Sequence, residues 1–86
     1  MCANQLHITS LEQGYIPGFP DDGNAVQVRL SNNLVIPANF RYNANDDAGK
    51  SLISLLRLAF QDNLKVTLVD HYGYNCDDFD NVIVEK

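Results

Sequence analysis

Between Ala48 and Phe60 the chain repeats apolar residues at a spacing that only a helix can use. Ala48, Leu52, Leu55, Leu56 and Ala59 recur at intervals of three and four, which places them along one helical face. Ile53 and Phe60, seven apart, add a second stripe, and Leu58 widens it, so that Lys50, Ser51, Ser54, Arg57 and Gln61 are left as the plainly polar positions. A helix apolar over so much of its circumference is covered on more than one side. The expected helix covers residues 46–63. Asn45 or Asp46 can cap its start, and Asp46 and Asp47 sit where the positive end of the helix dipole favours acid. With 86 residues the chain has room for one domain, residues 1–86, in which helix and sheet share a single core. The second cover of the helix is then either the domain's own sheet or helices of other copies. Cores of the smallest domains supply only about 3–5 kcal/mol, which favours self-association.

The segments on either side of the helix read as strands. Leu6 and Ile8 alternate with His7 and Thr9, and the pattern continues out of phase through Leu11. A Gly-, Pro- and Asp-dense run, Gly14-Tyr15-Ile16-Pro17-Gly18-Phe19-Pro20-Asp21-Asp22-Gly23, reads as a long surface loop. Val26, Val28 and Leu30 then alternate with Gln27, Arg29 and Ser31. Asn32-Asn33 turns the chain back into Leu34-Val35-Ile36, which Pro37 ends. If that turn has two residues, Leu34 and Ile36 point outward with Arg29 and Ser31. Either the loop is longer and the register shifts, or a neighbouring subunit covers Leu34 and Ile36. Residues 39–45, with Phe40 and Tyr42, form a second loop. After the helix, Leu64, Val66 and Leu68 face inward on a strand that runs to Asp70, and a last strand, residues 79–85, puts Val82 and Val84 on one face and Ile83 on the other.

Charge and composition remove several functions. Eleven acidic residues against six basic give a net charge of −5, which repels phosphate backbones and anionic lipid heads. Nucleic acid is therefore not expected as a partner. No apolar stretch approaches the roughly 20 residues of a membrane span, and no basic-then-apolar secretion signal opens the chain. A signal removed earlier would leave the same picture. Cys2 and Cys76 lie at opposite ends of the chain. They are either two unrelated thiols or a bridge closing a long loop, worth about 4 kcal/mol and implying an oxidising compartment.

The order strand, strand, strand, helix, strand, strand is that of the oligosaccharide/oligonucleotide-binding (OB) barrel, whose helix lies between its third and fourth strands. The expected class is α+β, mainly β: an OB-fold-like five-stranded barrel with one long helix. The run Ala48-Gly49-Lys50-Ser51-Leu52-Ile53-Ser54-Leu55-Leu56-Arg57-Leu58-Ala59-Phe60, a short polar turn and Leu64-Lys65-Val66-Thr67-Leu68-Val69 resemble the helix-then-strand segment of bacterial toxin B subunits. These are the pentameric sugar-binding rings of the cholera, heat-labile and pertussis-like toxins. The similar part spans residues 27–86 and is a hydrophobic pattern, not a set of chemical groups. The resemblance implies a homo-oligomer, with a pentamer favoured and Leu34, Ile36, Ile53, Arg57 and Phe60 at its interfaces. It also implies a glycan ligand, an enzymatic partner chain, and secretion or a periplasmic location. A disulfide from the amino-terminal region belongs to the cholera-type members; Cys2 matches its first position, whereas Cys76 falls one loop beyond the second.

The chain departs from that family by being shorter and by lacking tryptophan, which the toxins place just after the penultimate strand. Here Asp70, His71, Tyr72, Tyr74 and Asn75 occupy that place. Aromatic rings cover the apolar face of a sugar while amides and carboxylates fix its hydroxyls. Tyr72 and Tyr74 can supply the first, Asn75 and Asp70 the second. Asp70, His71 and Cys76 include the residue types of a nucleophile set, but one loop holding them is usually incidental, and no catalytic residues are expected. Asp77, Asp78 and Asp80 lack the spacing and the turning glycine of a calcium loop. Neither a metal nor a cofactor is expected. The competing reading is an intracellular oligomeric adaptor or inhibitor that holds a protein or small metabolite, cytoplasmic if the cysteines are reduced.

Overall fold

The first strand is asked to pair on both sides, and two irregularities let it do so. The computed structural model describes residues 1–17, 24–73 and 75–86. Among them the chain runs β1 (Ala3–Gly14), β2 (Ala25–Leu30), β3 (Val35–Pro37), α1 (Asp47–Gln61), β4 (Lys65–Val69) and β5 (Asn81–Glu85). The first part of β1 pairs with β4, the second part with β2, and the register shifts between Ala3 and Leu6 on one side and between Ile8 and Ser10 on the other. At the first shift Gln5 has a positive φ of 54° and donates its N–H to Thr67 Oγ1. At the second, Thr9 is the extra residue, and its hydroxyl bonds to Arg29 O. A bulge exchanges the faces of a strand. Ile8 and Leu11 therefore both pack on the core although they are three apart, and the phase break in the sequence is this bulge.

All five strands pair antiparallel in the order β3-β2-β1-β4-β5. Beyond Pro37 the chain reaches the approach to β5: Ala38 forms one parallel bridge with Phe79, with Phe79 N–H donating to Pro37 O and Asn39 N–H to Phe79 O. No ladder extends from this bridge among the described residues, so the sheet is open there. No helix among the described residues is long and apolar enough to cross a membrane.

The hairpin takes the longer loop. Arg29 pairs with Val35 and Val28 with Ile36, while Leu30 both donates to Leu34 O and accepts from Asn33 N. Ser31, Asn32 and Asn33 therefore form a three-residue turn that ends in a left-handed residue, Asn33 at φ 70°. The register shifts by one, which turns Ile36 inward to 0 % exposure and leaves Val35 outside at 44 %. Of the two alternatives the shifted register holds: Ile36 is core and Leu34 packs against that core half-buried, so Ile36 is not the interface residue that the resemblance implies.

The helix is also rotated from its expected setting. Its buried line is Gly49, Ile53, Leu56 and Ala59, whereas Ala48 is exposed and Leu55 and Leu58 are 36 % and 46 % exposed. The cause lies in the first turn. A Cβ on Gly49 would clash with the Asn43 backbone carbonyl, so the bare glycine lets the helix seat directly on the preceding loop and fixes which side turns in. Ile53, expected at an interface, belongs to the domain's own core; Arg57 and Phe60 remain exposed. Asp46 caps the start by accepting from Gly49 N. Asn63, at φ 54°, ends the helix as Leu64 N–H bonds back to Ala59 O, the six-to-one closure of a Schellman cap.

Around Leu56 and Phe79 the core gathers Val26, Val28, Leu30, Ile36, Val66 and Leu68. A Cys2–Cys76 disulfide, with Cα atoms 5.5 Å apart, ties the start of β1 to the β4–β5 loop. It spans 74 residues, and removing that much loop-closure entropy from the unfolded chain is worth about 4 kcal/mol. Replacing both cysteines by alanine should lower the urea-unfolding free energy by about that amount. Gly49→Ala, which in an ordinary helix interior gains up to about 1 kcal/mol, should instead destabilise by about 1–3 kcal/mol through overpacking on Asn43; chemical denaturation of the two variants against wild type measures both.

Candidate functional site

Two loops meet at one end of the sheet, and each is organised by a buried polar side chain. The β4–β5 loop turns around Asp70, which directly follows β4 and is 3 % exposed. Asp70 Oδ1 accepts from Tyr72 N at 3.1 Å and Gly73 N at 3.2 Å, and Oδ2 accepts from Cys76 N at 3.0 Å. The Gly73 hydrogen bond is the largest influence on its carboxyl, and, with those from Cys76 and Tyr72, it outweighs the opposing effect of burial and holds the pKa below the usual aspartate value. The far end of the loop is held by Asp80, whose side chain is buried. Its oxygens take His71 N and His71 Nδ1, both at 2.6 Å, while most of the imidazole stays in solvent.

The segment between β3 and α1 turns around Asn39, which is buried as well. Asn39 Oδ1 accepts from Arg41 N at 3.0 Å, its Nδ2 donates to Asp78 Oδ2 at 3.2 Å, and its carbonyl accepts from Tyr42 N at 2.8 Å. One side chain thus shapes its own loop and clips it to the neighbouring one. The turn leaves Phe40 and Arg41 outside and packs Tyr42 partly against the core.

Across the gap the Arg41 guanidinium lies over the Tyr72 ring, 4.3 Å from its centroid, and 5.6 Å from that of Phe40. Phe40 is 54 % and Tyr72 51 % exposed. A cation over an aromatic face at an exposed site contributes about 0.5–1 kcal/mol, enough to favour one arrangement of long side chains without burying them. The Tyr42 hydroxyl is raised above the usual tyrosine pKa, first by the neighbouring Tyr72 side chain and then by burial, with Arg41 opposing. The result is a surface of two aromatic rings, one guanidinium and one imidazole, set on rigid polar supports. Such a surface can stack against a flat apolar face and donate hydrogen bonds at its rim.

The sequence-selected residues are distributed unevenly over this surface. His71 and Tyr72 belong to it. Asp70 is turned inward and committed to backbone amides, so its part is to shape the loop. Asn75 is exposed, and its amide binds Asp77, donating to Oδ2 at 2.9 Å and accepting from the Asp77 N–H at 3.2 Å. Tyr74 lies outside the described residues, as do residues 18–23 of the β1–β2 loop, Phe19 among them. Cys76 is in the disulfide, so the Asp70–His71–Cys76 set holds no free thiol. Sequence reading passed over Phe40, Arg41 and Tyr42 as members of a loop. Their signal was the alternation of aromatic and cation directly after Pro37 and Asn39, but which distant ring would receive Arg41 depends on the fold. No group of three or more His, Cys, Asp or Glu among the described residues is arranged to hold a metal.

Comparison with known proteins returned no matching family model, no matching curated protein and no matching solved structure.

The two loop aspartates respond to acid in opposite senses. Asp70, with its lowered pKa, stabilises the fold fully above the ordinary aspartate pKa near about 4, and that contribution is lost as pH falls through the lower folded value. Asp78 is raised, chiefly by burial, against the hydrogen bond from Asn39 and with added repulsion from Asp70, Asp80 and Asp77. Its contribution is present below the ordinary value and lost as pH rises through the folded one. Asp70→Asn should therefore lower Tm at neutral pH and flatten its fall on acidification, whereas Asp78→Asn should keep or raise the neutral Tm. Thermal melts from about pH 7 to pH 3 check this; a shared direction for the two variants contradicts it.

Proposed function

We propose that this chain is a non-catalytic, self-assembling binding domain of the OB-barrel kind, secreted or periplasmic, that recognises carbohydrate through the surface around Arg41 and Tyr72. One observation carries the reading: Arg41 spans two loops to lie on Tyr72 beside Phe40, and all three remain at the surface. Large aromatics normally enter a core of this size, since each carries roughly 150–250 Å² to bury. Holding them outside on buried aspartate and asparagine supports suits a surface made for a ligand with a flat apolar face and hydroxyls at its rim. Sugars have that form. His71 and Asn75 stand on the same loop as hydrogen-bonding groups.

The barrel assignment draws on the strand order and on the parallel bridge between Ala38 and Phe79, which lies where an OB barrel joins its third and fifth strands. Self-assembly draws on the outer helix face. Leu55 and Leu58 lie there with Ala48 at helical spacing, all exposed, and Phe60 and Ile83 are other exposed apolar groups. In this reading the interface is centred on Leu55 and Leu58; at about 100° per residue the expected Arg57 and Phe60 fall on other sides of α1 and lie outside it. The resemblance of the helix-then-strand hydrophobic pattern to that of toxin B subunits would add a pentamer and an enzymatic partner chain to this reading. The disulfide is compatible with an oxidising compartment.

A glycan array probed with labelled protein should show saturable signal that falls about ten-fold or more in Tyr72→Ala and in Arg41→Ala, the loss expected of a hot-spot residue. Native mass spectrometry should report an oligomer that Leu58→Glu converts to monomer without loss of fold, because Leu58 lies outside the core. An inert array removes the carbohydrate reading, and a wild-type monomer removes the assembly.

A further inference from the structure

On another part of the surface, a cavity of about 280 Å³ opens between α1 and the end of β1, lined by Gln13, Ala44, Lys50, Ile53, Ser54 and Arg57. Its chemistry is divided. Ile53, in the core, and Ala44, half-buried, give it an apolar floor, while Lys50 and Arg57 stand on one wall as exposed cations. The two are seven residues apart on the helix, so they share a face about 10 Å apart along its axis. Helical side chains lean toward the amino terminus, which brings the longer Arg57 back over Ser54 toward Lys50. Neither forms an ion pair among the described residues, where the sole pair is His71 with Asp80. In a chain with only six basic residues and a net charge of −5, two of the cations stand together on one concave wall, with Asp46 and Asp47 one turn before Lys50.

We infer that this cavity is a binding site for a small organic anion, a carboxylic acid or phosphate ester whose charged group meets Lys50 and Arg57 and whose carbon skeleton lies on Ile53 and Ala44. The guanidinium fork fits either carboxylate or phosphate by two parallel hydrogen bonds, and the Gln13 side-chain amide supplies a neutral donor and acceptor at the rim. Size selects among ligands. Drug-sized molecules occupy roughly 300–1,000 Å³, so a cavity just below that range takes a small metabolite and not a polymer chain. The site is separate from the Arg41–Tyr72 surface and does not depend on the carbohydrate reading.

The test is a titration of ¹⁵N-labelled full-length protein, followed by amide chemical shifts at low ionic strength, with inorganic phosphate, glucose 6-phosphate, citrate and, as neutral control, glucose. Saturable shifts at Gln13, Lys50, Ser54 and Arg57 with the charged probes but not with glucose are expected. Comparison of phosphate, phosphate ester and citrate separates the two anion types. Arg57→Gln and Lys50→Gln should each weaken binding about ten-fold or more, as loss of a charge-assisted hydrogen bond does, while Lys65→Gln leaves it unchanged. Both side chains are exposed, so these variants should keep the wild-type Tm. Weakening of wild-type binding by added salt supplies a second measure that needs no variant. Unsaturable shifts, equal shifts around Arg29 and Lys65, insensitivity to the two substitutions, or a fall in Tm showing that Lys50 and Arg57 serve the fold instead would each overturn the site.

Discussion

A twelve-residue strand that must pair with β2 along one part and β4 along another cannot stay flat, and the rest of the domain follows from how β1 bends. The left-handed turn at Gln5 and the extra residue at Thr9 each break one ladder and rotate the strand. They also keep the polar groups freed by the break satisfied, through Thr67 Oγ1 and Arg29 O. Bending brings the two sets of ladders round a common core, so that β3 and the approach to β5, the outer members of the strand order, come within hydrogen-bonding distance at Ala38 and Phe79. The helix then lies across β1 and β5, seated by the missing side chain of Gly49. Were β1 straight, Ile8 and Leu11 could not share the core, and the helix would have no concave surface to fill.

The connecting loops depend on a different economy. A domain this small has little apolar material to spare, and its β3–α1 and β4–β5 loops are shaped by polar side chains turned inward, satisfied by backbone groups and by neighbouring side chains. Asp70 acts within its loop, Asn39 shapes its own loop and bonds across to Asp78 of the other, Asp80 closes the far end of that one, and the Cys2–Cys76 bond anchors it to β1. Buried polar groups with full sets of partners are costly to rearrange, so the loops hold their shape without aromatic packing. That frees Phe40, Arg41 and Tyr72 to remain at the surface, where a stacked cation and rings present chemistry to a ligand.

Where the sequence left alternatives open or chose the wrong side, a register step or a close backbone approach made the decision. The Asn32-Asn33 hairpin was recognisable, but a turn of two or three residues differs by one register step, and that step decides whether Ile36 is core or surface. Asn33 accepts the left-handed conformation the longer turn requires, and the alternation of Val26, Val28 and Leu30 then finds Ile36 on its own side. The amphipathic helix was recognisable over its length, with its cap narrowed to Asn45 or Asp46, of which Asp46 serves, yet its inward side was misplaced. A pattern with apolar residues at 52, 53, 55, 56, 58, 59 and 60 does not choose its own orientation; the contact of Gly49 with Asn43 chooses it. In the candidate site, the loop after β4 was identified by its residue types, whereas the inward turn of Asp70 and the arrival of Arg41 from another loop were not.

Local periodicity, turn-forming residues and capping groups therefore determined by themselves which segments are strands, where the helix starts, and that the chain runs strand, strand, strand, helix, strand, strand. These are short-range properties, fixed by backbone sterics and by side chains a few residues apart. The joining of Cys2 to Cys76, the rotation of α1, the burial of Ile36 and Ile53 and the meeting of Phe40, Arg41 and Tyr72 were decided only by tertiary structure. Each depends on the bend in β1 or on a close approach of backbone to backbone, and a register step or a missing Cβ changes a side chain's face without changing the hydrophobic pattern that announced it.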